Sequence, residues 1–205
     1  MKKITFFLLA SISLSTCTIK NQTQSLPFLG PKEVNEKGST IYHTIQPFEF
    51  ISQDSMHVTE QYLKDNITIV DFFFTTCPTI CPVMSNNMVE LQKKWTNTPS
   101  IQFLSHTVDP ETDTPNRLKR YAKRRGANLS NWQFVTGTKS ELYTQGLKSY
   151  LVSTQEDVLA PGGFLHSSLF ALIDKQLRLR GVYDGTNPTE IEKLNKDLKI
   201  LLNEK

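Results

Sequence analysis

Residues 67–82 read Ile67-Thr68-Ile69-Val70-Asp71-Phe72-Phe73-Phe74-Thr75-Thr76-Cys77-Pro78-Thr79-Ile80-Cys81-Pro82. The β-branched and aromatic run from Ile67 to Phe74 ends abruptly at Thr75-Thr76, as a central strand buried on both faces of a sheet does. Two cysteines follow, each succeeded by proline. Met84, Met88, Leu91 and Trp95 then recur at spacings of four, three and four, one face of a helix. The stretch is therefore strand, cysteine-bearing turn, helix, with the turn at the carboxyl end of a central strand, where open α/β sheets place their sites. Thiols near a helix N-terminus feel the positive end of the macrodipole, so lowered thiol pKa values are expected here. Pro78 and Pro82 stiffen the loop, and the helix starts at one or the other. The C-x-x-x-C spacing allows either metal chelation or a disulfide. The bland alternative is two inert cysteines buried for packing.

Outward from this turn, the chain of 205 residues suits one domain with appendages. Its hydrophobic content of 38% and charged content of 21% are those of an ordinary globular protein. The net charge of +3 includes Lys2 and Lys3 of a leader and gives no basis for a nucleic-acid surface. Residues 1–17 read as a lipoprotein-type signal or anchor: a basic start, a short apolar stretch from Ile4 to Leu14, then Leu14-Ser15-Thr16-Cys17. That ending resembles the lipobox of bacterial lipoproteins, with Thr16 where Gly or Ala is usual. Cys17 would then be the lipidated first residue of the mature chain; the alternative is an uncleaved anchoring tail with an idle thiol. Either way the folded part is expected outside the cytoplasm. Residues 18–40, rich in Asn, Gln, Thr, Ser, Pro and Gly, read as a flexible tether. The globular domain occupies 41–205.

Within that domain, Ile45–Phe50 and Met56–Val58 form an expected hairpin around Ser52–Ser55. A second buried strand spans Ile101–Val108. A helix from Thr114-Pro115 to Arg125 stops at Gly126, and a short strand covers Trp132–Val135. Thr138 and Glu141 form a capping box. Ser153–Leu165, with Pro161-Gly162-Gly163, reads as a loop. Leu169–Ile173 and Leu177–Tyr183 form a closing hairpin, and a last amphipathic helix follows Asn187-Pro188. Alternating strands and helices closed by an antiparallel hairpin give an α/β, thioredoxin-like arrangement.

His166 lies where the Gly-rich loop meets the strand Leu169–Ile173, a junction that approaches the cysteine turn in such a fold. An imidazole beside two thiolates would complete a three-coordinate N-S-S site suited to Cu(I), the imidazole admitting Cu(II) as well. The alternative is a histidine that merely caps the loop. His43, His57 and His106 are given structural roles, and the helical spacing of Met84 and Met88 makes them core residues rather than thioether ligands.

Three blocks in order, Cys77-Pro78-x-x-Cys81-Pro82, Val108-Asp109-Pro110 with Asp113-Thr114-Pro115, and His166-Ser167 with Phe170 and Ile173-Asp174, resemble the Sco/SenC family over about residues 45–203. The resemblance implies a thioredoxin-like fold on a membrane-tethered, extracytoplasmic domain, periplasmic in a Gram-negative cell. It implies copper held at the positions of Cys77, Cys81 and His166, and a role in assembling the binuclear copper centre of cytochrome c oxidase. Asp109 matches a family position near the metal site; its alternative is a turn-former before Pro110. The resemblance thus implies a metallochaperone whose partner is the copper-containing oxidase subunit, with other copper chaperones or thiol reductases as further partners. The competing expectation is a thiol–disulfide oxidoreductase acting on a copper-receiving partner, with Cys77 and Cys81 as attacking and resolving thiols. A peroxidase would want one activated thiolate rather than a symmetric pair facing a histidine.

Overall fold

The structure, a computed structural model, describes residues 25–156 and 164–204, with the backbone alone for 154–156 and 164–166. The elements in order are β1 (Lys32–Val34), β2 (Thr40–Tyr42), β3 (Glu49–Ser52), β4 (His57–Thr59), β5 (Ile67–Phe73), α1 (Ile80–Lys94), β6 (Ile101–Thr107), α2 (Pro115–Arg125), β7 (Trp132–Thr136), α3 (Lys139–Lys148), β8 (Thr154–Glu156), β9 (Phe164–His166), β10 (Leu169–Ile173), β11 (Leu179–Asp184) and α4 (Pro188–Asn203). Seven strands form the main sheet in the order β11-β10-β5-β6-β7-β3-β4. β5, β6 and β7 are parallel; β10, β11, β3 and β4 join antiparallel. The fold is thioredoxin-like.

β5 is central, and all seven of its residues are buried. Phe73 packs on Tyr121 of α2 and on Phe134, while Phe72 stacks on His106 and meets Tyr150 on the opposite face. α1 is anchored as its spacing foretold: Met84, Met88 and Leu91 are buried, and the Trp95 indole donates to Asn195 of α4 at 3.0 Å. α1 begins at Ile80, between the two candidate prolines, which places Pro82 in the first turn, where a missing N–H costs no helical bond. α2 starts with Pro115 and ends on Gly126 at φ +79°, a left-handed cap that glycine adopts without strain. Thr138 accepts from the Glu141 amide at 3.4 Å, and Asn187 accepts from Thr189 at 2.9 Å, opening α3 and α4.

The hairpin read at Ile45–Val58 pairs Glu49–Ile51 with His57–Thr59. The Ser153–Leu165 reading as loop is modified: β8 and β9 pair at its ends, Thr154 opposite His166, while 157–163 lie outside the described residues. The stretch 25–40 carries more structure than its composition suggests, because two tertiary anchors act on it. β1 pairs with β2, and Leu26 is buried, its amide donating at 2.7 Å to Glu204, the residue that ends α4. Arg180, 2% exposed, holds this segment by donating to the Leu26 and Pro27 carbonyls while pairing with Asp174 and Glu204 at 2.9 and 2.8 Å. Phe28 lies beneath its guanidinium at 4.3 Å.

Candidate metal and thiol site

Cys77 and Cys81 sit at the carboxyl end of β5, one in the turn and one on the first turn of α1. Both are buried, Cys77 at 8% exposure and Cys81 at 1%. The turn closes through the Cys77 amide, which donates to the Phe74 carbonyl at 3.2 Å, and the Cys77 sulfur lies 3.8 Å from the Thr79 hydroxyl. The two thiols are hydrogen-bonded to each other. That bond is the first cause that raises the Cys81 pKa above the ordinary thiol value; burial adds to it, and the nearby Asp71 carboxylate adds a smaller push. The expectation of a lowered thiol pKa is therefore corrected at Cys81: the helix terminus is outweighed by a neighbouring sulfur and an apolar wall.

Asp113, fully buried, fixes the strand end that leads into the turn. It accepts from the Thr75 amide at 3.0 Å, from the Thr75 hydroxyl, and from the Thr107 hydroxyl at 2.6 Å. Arg117 of α2 donates to the same Thr75 hydroxyl at 2.6 Å and lies 3.6 Å from Asp113. One carboxylate thus binds the end of β5, the end of β6 and the first turn of α2. Burial is the main cause that raises its pKa, against the hydrogen bonds that lower it. Asp109 is buried in the same loop, its amide donating to Thr107 and its carboxylate accepting from the Thr112 amide at 3.3 Å. That is turn-forming geometry.

The register of β10 on β5, Ala171 opposite Val70 and Ile173 opposite Thr68, brings the start of β10 to the end of β5 that carries the cysteines. His166 is three residues before that start, so the topology delivers its backbone to the same end of the sheet; its side chain lies outside the described residues. The connection after it is tied to the cysteine helix. The Gly185 amide donates to Ser168 O at 2.7 Å, and Asn87 of α1 donates to Gly185 O at 2.8 Å. Only glycine fits at 185, since a Cβ there would stand 2.7 Å from the Phe170 ring and 2.9 Å from the Ser168 carbonyl. Among the described residues no third histidine, cysteine or carboxylate joins the pair in a three-ligand cluster.

The remaining histidines are structural. His43 bonds the Ser149 carbonyl at 2.8 Å, and exposed His57 pairs with Glu49 at 2.5 Å. His106 is wholly enclosed by Phe48, Phe50, Phe72 and Tyr150. Cys17 lies outside the described residues.

Cysteine turn, buried pair and thioredoxin-like sheet together invite comparison with known proteins. Residues 36–203 match the SCO1/SenC family. The chain belongs to the SCO1/SenC family. Among solved members, a SCO1/SenC family lipoprotein from Bacillus anthracis shares 29% identity at a TM-score of 0.73, with 78% of this chain and 96% of that one covered. BsSco, a member of the Sco family of cytochrome c oxidase assembly proteins in which a disulfide switch was identified, shares 32% identity at 0.71, over 80% of this chain and 95% of that one. Arabidopsis thaliana ScoI with copper bound shares 25% identity at 0.65, over 78% and 98%.

Two residues of this SCO1/SenC site escaped the sequence reading. Asp71 interrupts what reads as an apolar strand; it is buried and accepts from Ser105 at 2.5 Å, whose oxygen in turn accepts from the Trp132 indole at 2.9 Å. A carboxylate inside a central strand was the available signal, since Asp is seldom fully buried without a partner. Asp113 stood in a quoted block but without a role, because its partners come from 38 and 6 residues away.

Proposed function

We propose that this protein binds one copper ion as cargo through Cys77, Cys81 and His166, and passes it to the copper-containing subunit of cytochrome c oxidase. The observation that carries the proposal is the pair of buried, hydrogen-bonded cysteines at the end of β5. Two soft sulfur donors with an imidazole form a set suited to Cu(I), and burial excludes competing water and oxygen ligands. A tether beginning at lipidated Cys17 would hold the domain at the outer face of the membrane, within reach of an oxidase subunit. Asp109 is assigned a turn-forming role beside the site. Transfer proceeds by stepwise ligand exchange, each incoming thiol of the partner replacing one of these donors.

A second reading rests on the same closeness of the sulfurs. Cys77 and Cys81 could reduce a partner's disulfide: one thiolate attacks, a mixed disulfide forms, and the other thiol resolves it, leaving a Cys77–Cys81 disulfide and two partner thiols. The disulfide switch described for BsSco favours attention to this route.

The two readings part at His166. On the copper reading, His166→Ala lowers copper affinity by a factor on the order of 100 or more, since the loss of supporting groups alone costs about 10–100-fold, and oxidase assembly fails, while thiol–disulfide exchange is little changed. Titration with Cu(I) beside oxidase complementation tests this. Full complementation by a variant that no longer binds copper sinks the chaperone reading.

A further inference from the structure

Helix α2 carries Arg117, Lys119, Arg120, Lys123, Arg124 and Arg125 and no acidic residue. Six of the chain's 23 lysines and arginines therefore stand on one short helix, leaving 17 elsewhere against 20 acidic residues. The near-neutral chain is in fact a cationic helix on an acidic body. Half of these charges have structural duties. Arg117 holds Thr75, Lys119 pairs with Asp54 at 2.8 Å, and Arg125 lies over the Tyr121 ring at 5.1 Å. Arg120, Lys123 and Arg124 are exposed and have no ion-pair partner among the described residues. Stability of the helix does not account for them. Cations in the last turn do suit the macrodipole, but Lys119 with Lys123 and Arg120 with Arg124 are like charges four apart, which work against a helix. The neighbouring α1 ends in the opposite style, with Lys93 on Glu90 at 2.8 Å and Lys94 near Glu192 at 3.9 Å.

Position supplies the second observation. α2 leaves the sheet at the cysteine end and runs back, so its C-terminal turn lies at the end where β5, β6 and β7 begin. The N-terminal segment joins the domain at that same end, since Leu26 and Leu29 bond Glu204 and Leu179, and Leu179 faces Ile173 at the foot of β10. We propose that Arg120, Lys123 and Arg124 rest on an anionic lipid headgroup surface and stand the domain on the membrane, with the cysteine turn at the far end of the sheet. The seven residues of β5 then hold the thiols roughly 23 Å above the contact, facing the extramembrane part of a partner. Clustered cations at the end from which the chain leads back to the anchor proposed at Cys17 are the pattern that anionic lipid attracts, and the acidic remainder of the domain is repelled, which sets the orientation. The inference rests on the anchor proposed at Cys17 but is independent of the copper reading, because it concerns the end opposite the thiols.

The test uses residues 25–205. The buried core lies within 26–201, and the solved relatives are covered 95–98% by alignments spanning 78–80% of this chain, so the domain stands alone. Cosedimentation is measured with vesicles of phosphatidylcholine alone and with about 30 mol% phosphatidylglycerol added, at low and high salt. The expected result is binding to the anionic vesicles only, abolished by about 1 M salt, where the screening length falls to about 3 Å. Arg120→Ala/Lys123→Ala/Arg124→Ala should lower the partition coefficient on the order of 100-fold, each cation contributing about a fivefold factor. Lys139→Ala/Lys193→Ala/Lys196→Ala, on α3 and α4 away from the contact end, removes the same charge and should keep most of the binding. Circular dichroism confirms each variant's fold, and single Lys123→Ala, at about fivefold, serves if the triple variant unfolds. Binding to neutral vesicles as strong as to anionic ones, equal loss in both triple variants, or no binding of the wild type at low salt overturns the proposal; the last result leaves an acidic protein surface as the occupant of the patch.

Discussion

His106 makes stability acid-sensitive through a single side chain. It is fully buried against the rings of Phe48, Phe50, Phe72 and Tyr150, with Nε2 3.3 Å from the Tyr150 hydroxyl and no partner for Nδ1 among the described residues. Burial lowers its pKa from 6.5 to about 3. The folded protein therefore keeps the imidazole neutral where the unfolded chain protonates it. Between about 6.5 and about 3 the unfolded state holds the extra proton, so stability present above pH 6.5 is lost as pH falls. The interval spans roughly 3.5 pH units at about 1.4 kcal/mol each, a total near 5 kcal/mol, of which about 2 kcal/mol is gone by about pH 5. Urea unfolding of the wild type and of His106→Phe, each near pH 7.5 and near pH 5, isolates this term, because other titrations are common to both. The wild type should lose about 2 kcal/mol more than the variant over that range. Equal losses in the two proteins would refute the assignment, whatever their absolute stabilities.

Two further perturbations probe the supports of the site and of the N-terminal segment. Asp113→Ala leaves the Thr75 amide and the Thr75 and Thr107 hydroxyls without their acceptor and should destabilise by about 2–5 kcal/mol, with faster hydrogen exchange at the Thr75 amide; unchanged protection there would show that the carboxylate does not hold the turn. Arg180→Ala strands buried Asp174 beside half-buried Glu204 and should cost about 3–5 kcal/mol, with proteolysis setting in near Leu26 and Pro27; a variant as resistant as the wild type would mean the segment is held by packing alone.

Much of the architecture was legible because it is written in local periodicity. The strand–turn–helix of β5 and α1 follows from an apolar run and a four-three-four spacing, and α2 is bounded by Pro115 and Gly126, residues whose backbone limits act without tertiary help. The cysteine pair was legible for the same reason: both members lie on one short turn. What stayed hidden depends on residues far apart in sequence. Leu26 joins the core beside Glu204 and Arg180, 178 and 154 positions later, which bond its amide and its carbonyl. Asp71 looks like an interruption until Ser105 and Trp132 are brought beside it. The Cys81 thiol departs from the helix-terminus expectation because the opposing terms, a neighbouring sulfur and burial, appear only after packing.

The supports of the site are divided in a way that bears on both functional readings. The cysteine half is clamped by Asp113, which joins the end of β5 to β6 and α2 through groups that are buried or half-buried. The connection that follows His166 is held separately, through Gly185 between Ser168 and Asn87 of α1. Neither clamp uses a sulfur. A partner can therefore draw on the thiols, whether for a metal ion or for disulfide exchange, while both clamps remain closed, and little of the free energy of transfer is spent on reordering the turn. The separation also gives the His166-bearing connection its own attachment to α1, so on the proposed copper reading a loss there should weaken copper binding while leaving the thiol pair intact. On the copper reading the imidazole would be carried by a connection with its own attachment, through Gly185 and Asn87, apart from the Asp113 clamp on the thiols, which is why His166 is the position at which copper binding and thiol exchange can be told apart.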